Sequence, residues 1–411
     1  MWRLNSYTRW AINILVCIYA VFALLKHLIE AYYHSVDRTS WWSTEFLVNY
    51  QAGYVRRGLI GELLYQLRVH HNVDPQCMIW GICLVSFILL AGILVCCFRK
   101  ANLCLWVLPL CTCLAGADFL RKDMLALLLI AGWLFVYSSR VNAVLKYIII
   151  NAITILLLNI HEASFFIFCP IVCFVLFVDR QKYKVCNLLT IFVCLFSFCI
   201  VVLHKGNDEI ARGIQDSWAV YYPADFNGPL KTTIHSIGWE TGETIMMHLN
   251  ANFLIVSHGV QGWFSKPLAW LCTFFVIPNI LFIKRSFSCR MEFDEMHNFL
   301  IVYIAQYLSL SPLFFVLSCD PVRILSYWTI SSFLIYIFIS DSVSRCAPVF
   351  VHNLVRNVRR VVFFKNSALI ALVIMPFLCI SYTGTDLVDA FSRSMVGMYR
   401  WAFCVMESTF F

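Results

Sequence analysis

The dipeptide His161-Glu162, in the stretch LLLNIHEASFFIF, is confined to a tight turn between two apolar runs. If those runs cross a bilayer, both side chains lie close to membrane depth, where ionisable groups are costly and mark a functional site by default. Burial raises a carboxylate's pKa and a neighbouring cation lowers it, so Glu162 suits acid or base work, with His161 orienting it or meeting an anion. The plain alternative is an N-cap and interface anchor. Arg56 and Arg57 stand together in NYQAGYVRRGLIGELLY, residues 49–65. Val55, Leu59, Leu63 and Leu67 follow at spacing four, which predicts a short amphipathic helix with that face at an interface. Cations at a helix N-terminus oppose its dipole. An anion removes the conflict, because free backbone N–H groups and two guanidiniums together make a diphosphate site. Lipid phosphates at the interface would serve the same arginines in a purely structural role.

Two further clusters carry charge into apolar sequence. DFLRKD, residues 118–123, gathers Asp118, Arg121, Lys122 and Asp123 where a helix re-enters the membrane. Asp123 suits a helix N-terminus, and Lys122 and Asp123 are the functional choices. In CDPVR, residues 319–323, Pro321 fits a first helical turn and Asp320 a cap, but capping does not account for Arg323 entering an apolar span. The segment 204–266 is far longer than a turn. It interleaves Trp218, Tyr221, Tyr222, Phe226, Trp239 and Trp263 with Asp216, Asp225, Glu240 and Glu243. Aromatic faces beside carboxylates suit a sugar, whose C–H face stacks while its hydroxyls bond to polar groups. Trp218, Tyr221, Tyr222 and Trp239 are the glycan candidates, against an aromatic belt as the alternative.

The elements that must position these residues follow from composition. Of 411 residues, 61% are hydrophobic and 13% charged, so the chain is expected to be an all-α polytopic membrane protein. About eleven spans are predicted: 10–32, 77–98, 103–117, 124–138, 144–160, 163–178, 186–203, 267–283, 298–317, 322–340 and 366–382. With the N-terminus cytoplasmic, every short cytoplasmic turn is basic, as the positive-inside rule requires. The net charge of +8 is then a topology signal, and no nucleic-acid partner is expected. No CxxC pair, P-loop, GxSxG, HExxH or EF-hand pattern occurs, and many of the 19 cysteines lie inside apolar spans as small hydrophobes. The first apolar run is long and lacks a small-residue cleavage site, so no signal peptide is expected. The chain reads as a single membrane domain, 1–411, with two long external loops, 33–76 and 204–266. All the polar features named above fall on that external side.

NYQAGYVRRGL, then RKD, then HE followed by aromatics, then D-x-x-R before a late span run in order along most of the chain. This series resembles the oligosaccharide repeat-unit polymerases of bacterial surface-polysaccharide loci (Wzy-type, with EpsG-like relatives). Related proteins often carry D-W-G-R where this chain has DPVR. The resemblance implies a membrane glycosyltransferase of the GT-C kind at the outer face of the bacterial inner membrane. It would join polyprenyl-diphosphate-linked repeat units into O-antigen, capsule or exopolysaccharide. The first-loop acidic pair common in GT-C enzymes is missing, although Glu45 is available, and neither metal nor other cofactor is expected. In the implied reaction the departing diphosphate meets Arg56, Arg57, Lys122 and Arg323, with Arg121 beside them. Glu162 is the first choice of base, ahead of Asp320 and Asp123. The expected partners are the lipid-linked donor and acceptor, membrane lipids, and a chain-length regulator or flippase. A flippase for the same lipid-linked glycan, a membrane O-acyltransferase using His161 and Glu162, and a scaffolding protein are the rival readings. A flippase would carry its charges within the spans, often with an internal repeat.

Overall fold

The computed structural model describes residues 38, 40–99, 121–178, 183–226, 232–253, 293–318 and 321–362. Among them every regular element is helical and no strand occurs. The expected spans 10–32, 103–117, 267–283 and 366–382 lie outside the described residues, as do Asp118, Asp320 and Trp263.

The first described segment forms two helices, α1 (Trp41–Phe46) and α2 (Gly58–His71). Next come the long apolar α3 (Pro75–Arg99) and the shorter α4 (Asp123–Ser138). Helices α5 (Ala143–Ile160), α6 (Ser164–Val178) and α7 (Lys184–Leu203) complete the first half. The segment after α7 supplies α8 (Asp208–Ala219), α9 (Pro223–Phe226) and α10 (Thr241–Phe253). Helix α11 (Phe293–Pro312) runs into a π-helical turn, Leu313–Leu317, and is followed by α12 (Pro321–Cys346) and α13 (Val349–Val362).

Local sequence sets several of these boundaries. Asp74 precedes Pro75 and accepts the Gln76 N–H at 3.2 Å, so α3 opens with a capped first turn and a proline that needs no donor. Asn142 caps α5 through Val144 N–H at 2.9 Å, and Asn207 caps α8 through Ile210 N–H at 2.8 Å. Among the described residues four helical stretches are long and apolar enough to cross a membrane: Pro75–Leu94, Ala143–Ile160, Lys184–Leu203 and His297–Leu317. A fifth arises if Tyr327–Cys346 and Val349–Asn357, bent by 116°, count as one. Helices α4 and α6 have 16 and 15 residues. At 1.5 Å per residue they are shorter than a ~30 Å hydrocarbon core.

The bundle is built on α11 packed along α12, with α12 also against α4 and α6, and α5 against α4 and α7. Polar side chains join these helices where no water competes. Gln306 donates to Ser331 Oγ at 2.6 Å, Trp328 Nε1 to the Tyr303 carbonyl at 2.7 Å, and Trp133 Nε1 to Thr154 at 3.2 Å.

The segment before α3 and the segment after α7 fold onto each other as one cap. Trp218 Nε1 donates to the Leu47 carbonyl at 2.7 Å, Asn49 to Ser217 at 2.9 Å, Arg56 N–H to the His204 carbonyl at 2.8 Å, and Thr233 N–H to Thr44 at 3.1 Å. Helix α2 meets the protein through a different face from the one expected at an interface: Gly58, Ile60, Gly61 and Leu64 are buried, whereas of the spacing-four set Val55 is buried, Leu59 and Leu67 are half-buried and Leu63 is exposed. The glycines decide this: a Cβ on Gly61 would stand 1.9 Å from the Val48 carbonyl oxygen, so only glycine lets α2 lie directly on the 46–48 backbone.

Candidate functional site

Four helices begin at one place. Arg57 precedes α2, Lys122 precedes α4, Glu162 lies just before α6, and Arg323 sits in the first turn of α12. Glu45 enters from α1. The site therefore holds four cations (Arg56, Arg57, Lys122, Arg323) and three carboxylates (Glu45, Asp123, Glu162), with the positive ends of four helix dipoles around them.

Arg57 is the hinge of the arrangement. Its backbone is left-handed, φ 65°, a region that costs a non-glycine residue about 1–2 kcal/mol and recurs at functional sites. The turn aims its guanidinium at Glu162: Nε lies 2.9 and 2.7 Å from the two carboxylate oxygens, and Nη2 also donates to Oε1. Arg57 Nη1 reaches Glu45 at 3.8 Å, and Arg56 Nη1 stands 3.5 Å from Glu162. Lys122, 0% exposed, donates from Nζ to the Arg57 carbonyl at 2.6 Å and so holds the left-handed turn from beneath.

The second half of the site centres on His161. The Ala163 N–H donates to Nδ1 at 3.1 Å, while Nε2 lies 3.4 Å from Glu45 and 3.6 Å from Asp123. Arg323 grips Asp123 with Nε at 2.8 Å and Nη2 at 3.1 Å, and also meets Tyr327 at 2.6 Å and His161 Nε2 at 2.7 Å. A neutral imidazole has one acceptor nitrogen. Ala163 and Arg323 therefore compete for His161, and a shift of Arg323 towards an incoming anion would end the competition.

Electrostatics separates the two glutamates less than their hydrogen bonds do. Burial alone would raise Glu45, but His161, Arg323 and Arg57 hold it well below the usual carboxylate range. Burial likewise opposes ionisation of Glu162, and Arg57, Arg56 and His161 more than reverse it. Glu162 is tied up by two arginines. Glu45 is 2% exposed, and neither of its oxygens accepts a well-formed hydrogen bond from a described residue. A buried carboxylate in that condition is costly unless something donates to it in the working state. Arg56 Nε is likewise buried without a hydrogen-bond acceptor among the described residues. Burial pushes the Lys122 ammonium down to about 8, with Arg57 acting in the same direction and Glu45 and Glu162 against it.

Of the residues singled out by sequence, the structure brings together Arg56, Arg57, Lys122, Asp123, His161, Glu162 and Arg323, drawn from four separate motifs. Arg121 is half-buried next to them and accepts a Cys83 thiol contact at its carbonyl. The glycan candidates divide. Trp218 is 0% exposed and Tyr222 is buried, stacked on Trp218 and Phe226, so both anchor the cap and present no face to a sugar. Tyr221 and Trp239 remain partly exposed. Glu45 entered the sequence reading only as an available first-loop acid, and the structure puts it at the centre. Among the described residues no group of three or more His, Cys, Asp and Glu side chains is placed to hold a metal ion; Glu45, Asp123 and Glu162 each face a cation instead. Comparison with protein-family models, with curated proteins and with solved structures returns no match.

Proposed function

We propose that the protein is a membrane glycosyltransferase that joins polyprenyl-diphosphate-linked oligosaccharide repeat units at the outer face of a bacterial inner membrane. The observation that carries this reading is the ion-paired cluster of four cations and three carboxylates, built from four helix N-termini beneath a two-loop cap. In this reading the chain crosses the membrane eleven times, with a cytoplasmic N-terminus and the cluster external.

The reaction follows from the geometry. The hydroxyl oxygen of the acceptor sugar attacks the anomeric carbon of the donor. The bond from that carbon to the diphosphate oxygen breaks, and polyprenyl diphosphate leaves with the electron pair. Arg56, whose Nε is buried without an acceptor among the described residues, contacts the diphosphate. Arg57 and Arg323, held by Glu162 and Asp123 at rest, turn towards the growing negative charge. The hydroxyl proton passes to a carboxylate. We assign it to Glu45 ahead of Glu162, because Glu45 is met only at 3.4 Å by His161 and 3.8 Å by Arg57, whereas both Glu162 oxygens take close hydrogen bonds from Arg57. A diphosphate drawing Arg57 and Arg323 away from Glu45 also raises its basicity as the substrate binds.

The flippase reading draws on the same cations, but a flippase needs its charges along the spans. Among the described residues the charged network gathers where helices begin, which favours the transferase. Purified protein incubated with lipid-linked repeat units should generate a ladder of products differing by one repeat. Recovery of unaltered lipid-linked units, moved across a vesicle bilayer, would overturn the proposal in favour of the flippase.

A further inference from the structure

Trp41 and Trp239 come from opposite ends of the cap and meet with ring centroids 5.9 Å apart and planes 39° from each other. The fold ties them together: Thr233 donates from its backbone to Thr44 Oγ1 at 3.1 Å and from its hydroxyl to the Trp41 carbonyl. Yet the pair is not core. Trp133, Trp218 and Trp328 are all buried, whereas Trp41 is 37% exposed and Trp239 partly so. Two long-range hydrogen bonds thus hold an indole pair at the surface.

The surroundings indicate what the pair binds. Asp208 packs against Gly238, beside Trp239, and Glu240 follows it; both carboxylates belong to exposed residues. His235 stands edge-on to Trp239 at 6.2 Å, and its Nδ1 is buried without a hydrogen-bond partner among the described residues. Tryptophans that seat in a lipid interface do so beside phosphates, which an acidic rim repels. Indole faces bordered by carboxylates and an imidazole match a pyranose, which is apolar on its C–H face and carries hydroxyl donors round its edge. Trp41 also lies on α1 four residues before Glu45, about 6 Å along the helix axis.

We infer that Trp41 and Trp239 form a stacking platform for one sugar ring of the glycan, with Asp208, Glu240 and His235 receiving or orienting its hydroxyls. This rests on the transferase reading only for the identity of the glycan; the platform itself binds sugar without turnover. It positions a repeat unit so that an adjoining hydroxyl or anomeric carbon lies over the Glu45 cluster.

The test uses full-length protein in nanodiscs and, as probe, the repeat-unit oligosaccharide released from its lipid by mild acid. Saturation-transfer NMR should mark the C–H protons of one ring face. Trp41→Ala and Trp239→Ala should each weaken that binding about three- to tenfold, as expected for loss of one aromatic contact. Tyr183→Ala, an exposed aromatic outside the cap, should leave it unchanged. Saturation unaltered in both tryptophan variants would overturn the inference, and so would no transfer to the sugar in the wild type. A measurement on the wild type also stands should a variant fail to fold. Brominated lipid in the nanodisc must not quench the fluorescence of this pair, because quenching would make the two indoles lipid anchors. Sugar binding here without any product ladder would leave the platform standing and remove the transferase.

Discussion

At the residue scale, Glu45 and Glu162, and Arg56 and Arg57, take different places in the cluster, and each pair should respond differently to substitution. Glu45→Gln keeps shape but cannot take a proton. If Glu45 is the base, turnover should fall by roughly 10²–10⁴ while donor binding is nearly retained. Glu162→Gln should act through its arginines instead, loosening the aim of Arg57 and raising KM. Comparing kcat and KM of the two variants checks this, and a near-normal rate in Glu45→Gln would return the proton to Glu162. Arg56→Ala is expected to raise KM for the lipid-linked donor, since its buried Nε has no acceptor among the described residues and is left for the ligand in the proposed reaction. Arg57→Ala is expected to lower kcat more strongly, because it bridges Glu162 and Glu45. Lysine at 57 should rescue poorly, having no fork to offer a carboxylate or phosphate. Steady-state kinetics on the three variants would show the split, and identical defects at 56 and 57 would dissolve it.

At the element scale, the buried lysine under α2 has a consequence for stability. Lys122 is lowered from 10.5 to about 8 in the folded protein, so it binds fewer protons folded than unfolded between those values. Below about 8 the folded protein bears the cost of a buried charge, and that cost fades as pH rises towards 10.5. The difference in Tm between Lys122→Met and wild type should therefore shift in favour of wild type as pH rises from about 8 to about 10. A difference that stays constant with pH would mean that Lys122 is not neutralised in the fold. Glu45 and Glu162 behave oppositely: held low, they stabilise above their unfolded values near 4.5, and that contribution is lost as pH falls. Much of the element layout was legible in the sequence. Seven expected spans coincide with described helices within a few residues, because long apolar runs between basic turns leave little choice. The face by which α2 meets the rest of the protein was not legible, since it is set by Gly61 against the Val48 carbonyl and Gly58 against the Tyr50 ring, contacts that only the fold brings about. Nor was the left-handed Arg57, which delays the start of α2 to Gly58. Trp218 had a readable signal: Ala211, Ile214 and Trp218 at spacings of three and four mark it as the buried face of α8.

At the scale of the whole molecule, the site exists only because segments distant in the chain meet in the fold. The charged motifs themselves were legible as dense polar interruptions of apolar sequence. Their pairing was not, since Arg323 with Asp123 and Arg57 with Glu162 join residues 200 and 105 positions apart. Topology can be tested apart from chemistry. On a background freed of native cysteines, Glu240→Cys should react with an impermeant thiol reagent in spheroplasts, and Arg356→Cys only after the membrane is opened. Both side chains belong to exposed residues, so access depends on the membrane alone. Protection of position 240 would turn the cluster to the cytoplasmic face and remove it from an external polymer.

The central claim is that one bond to a lipid diphosphate is broken for every sugar linkage made. The direct measurement is a count of both products from purified protein and lipid-linked repeat units: polyprenyl diphosphate by phosphorus NMR, and linkages from the length of the ladder. The account predicts one polyprenyl diphosphate released per new linkage, with both falling together in Glu45→Gln and Arg57→Ala. A ladder without diphosphate release, or release without linkages, would contradict it.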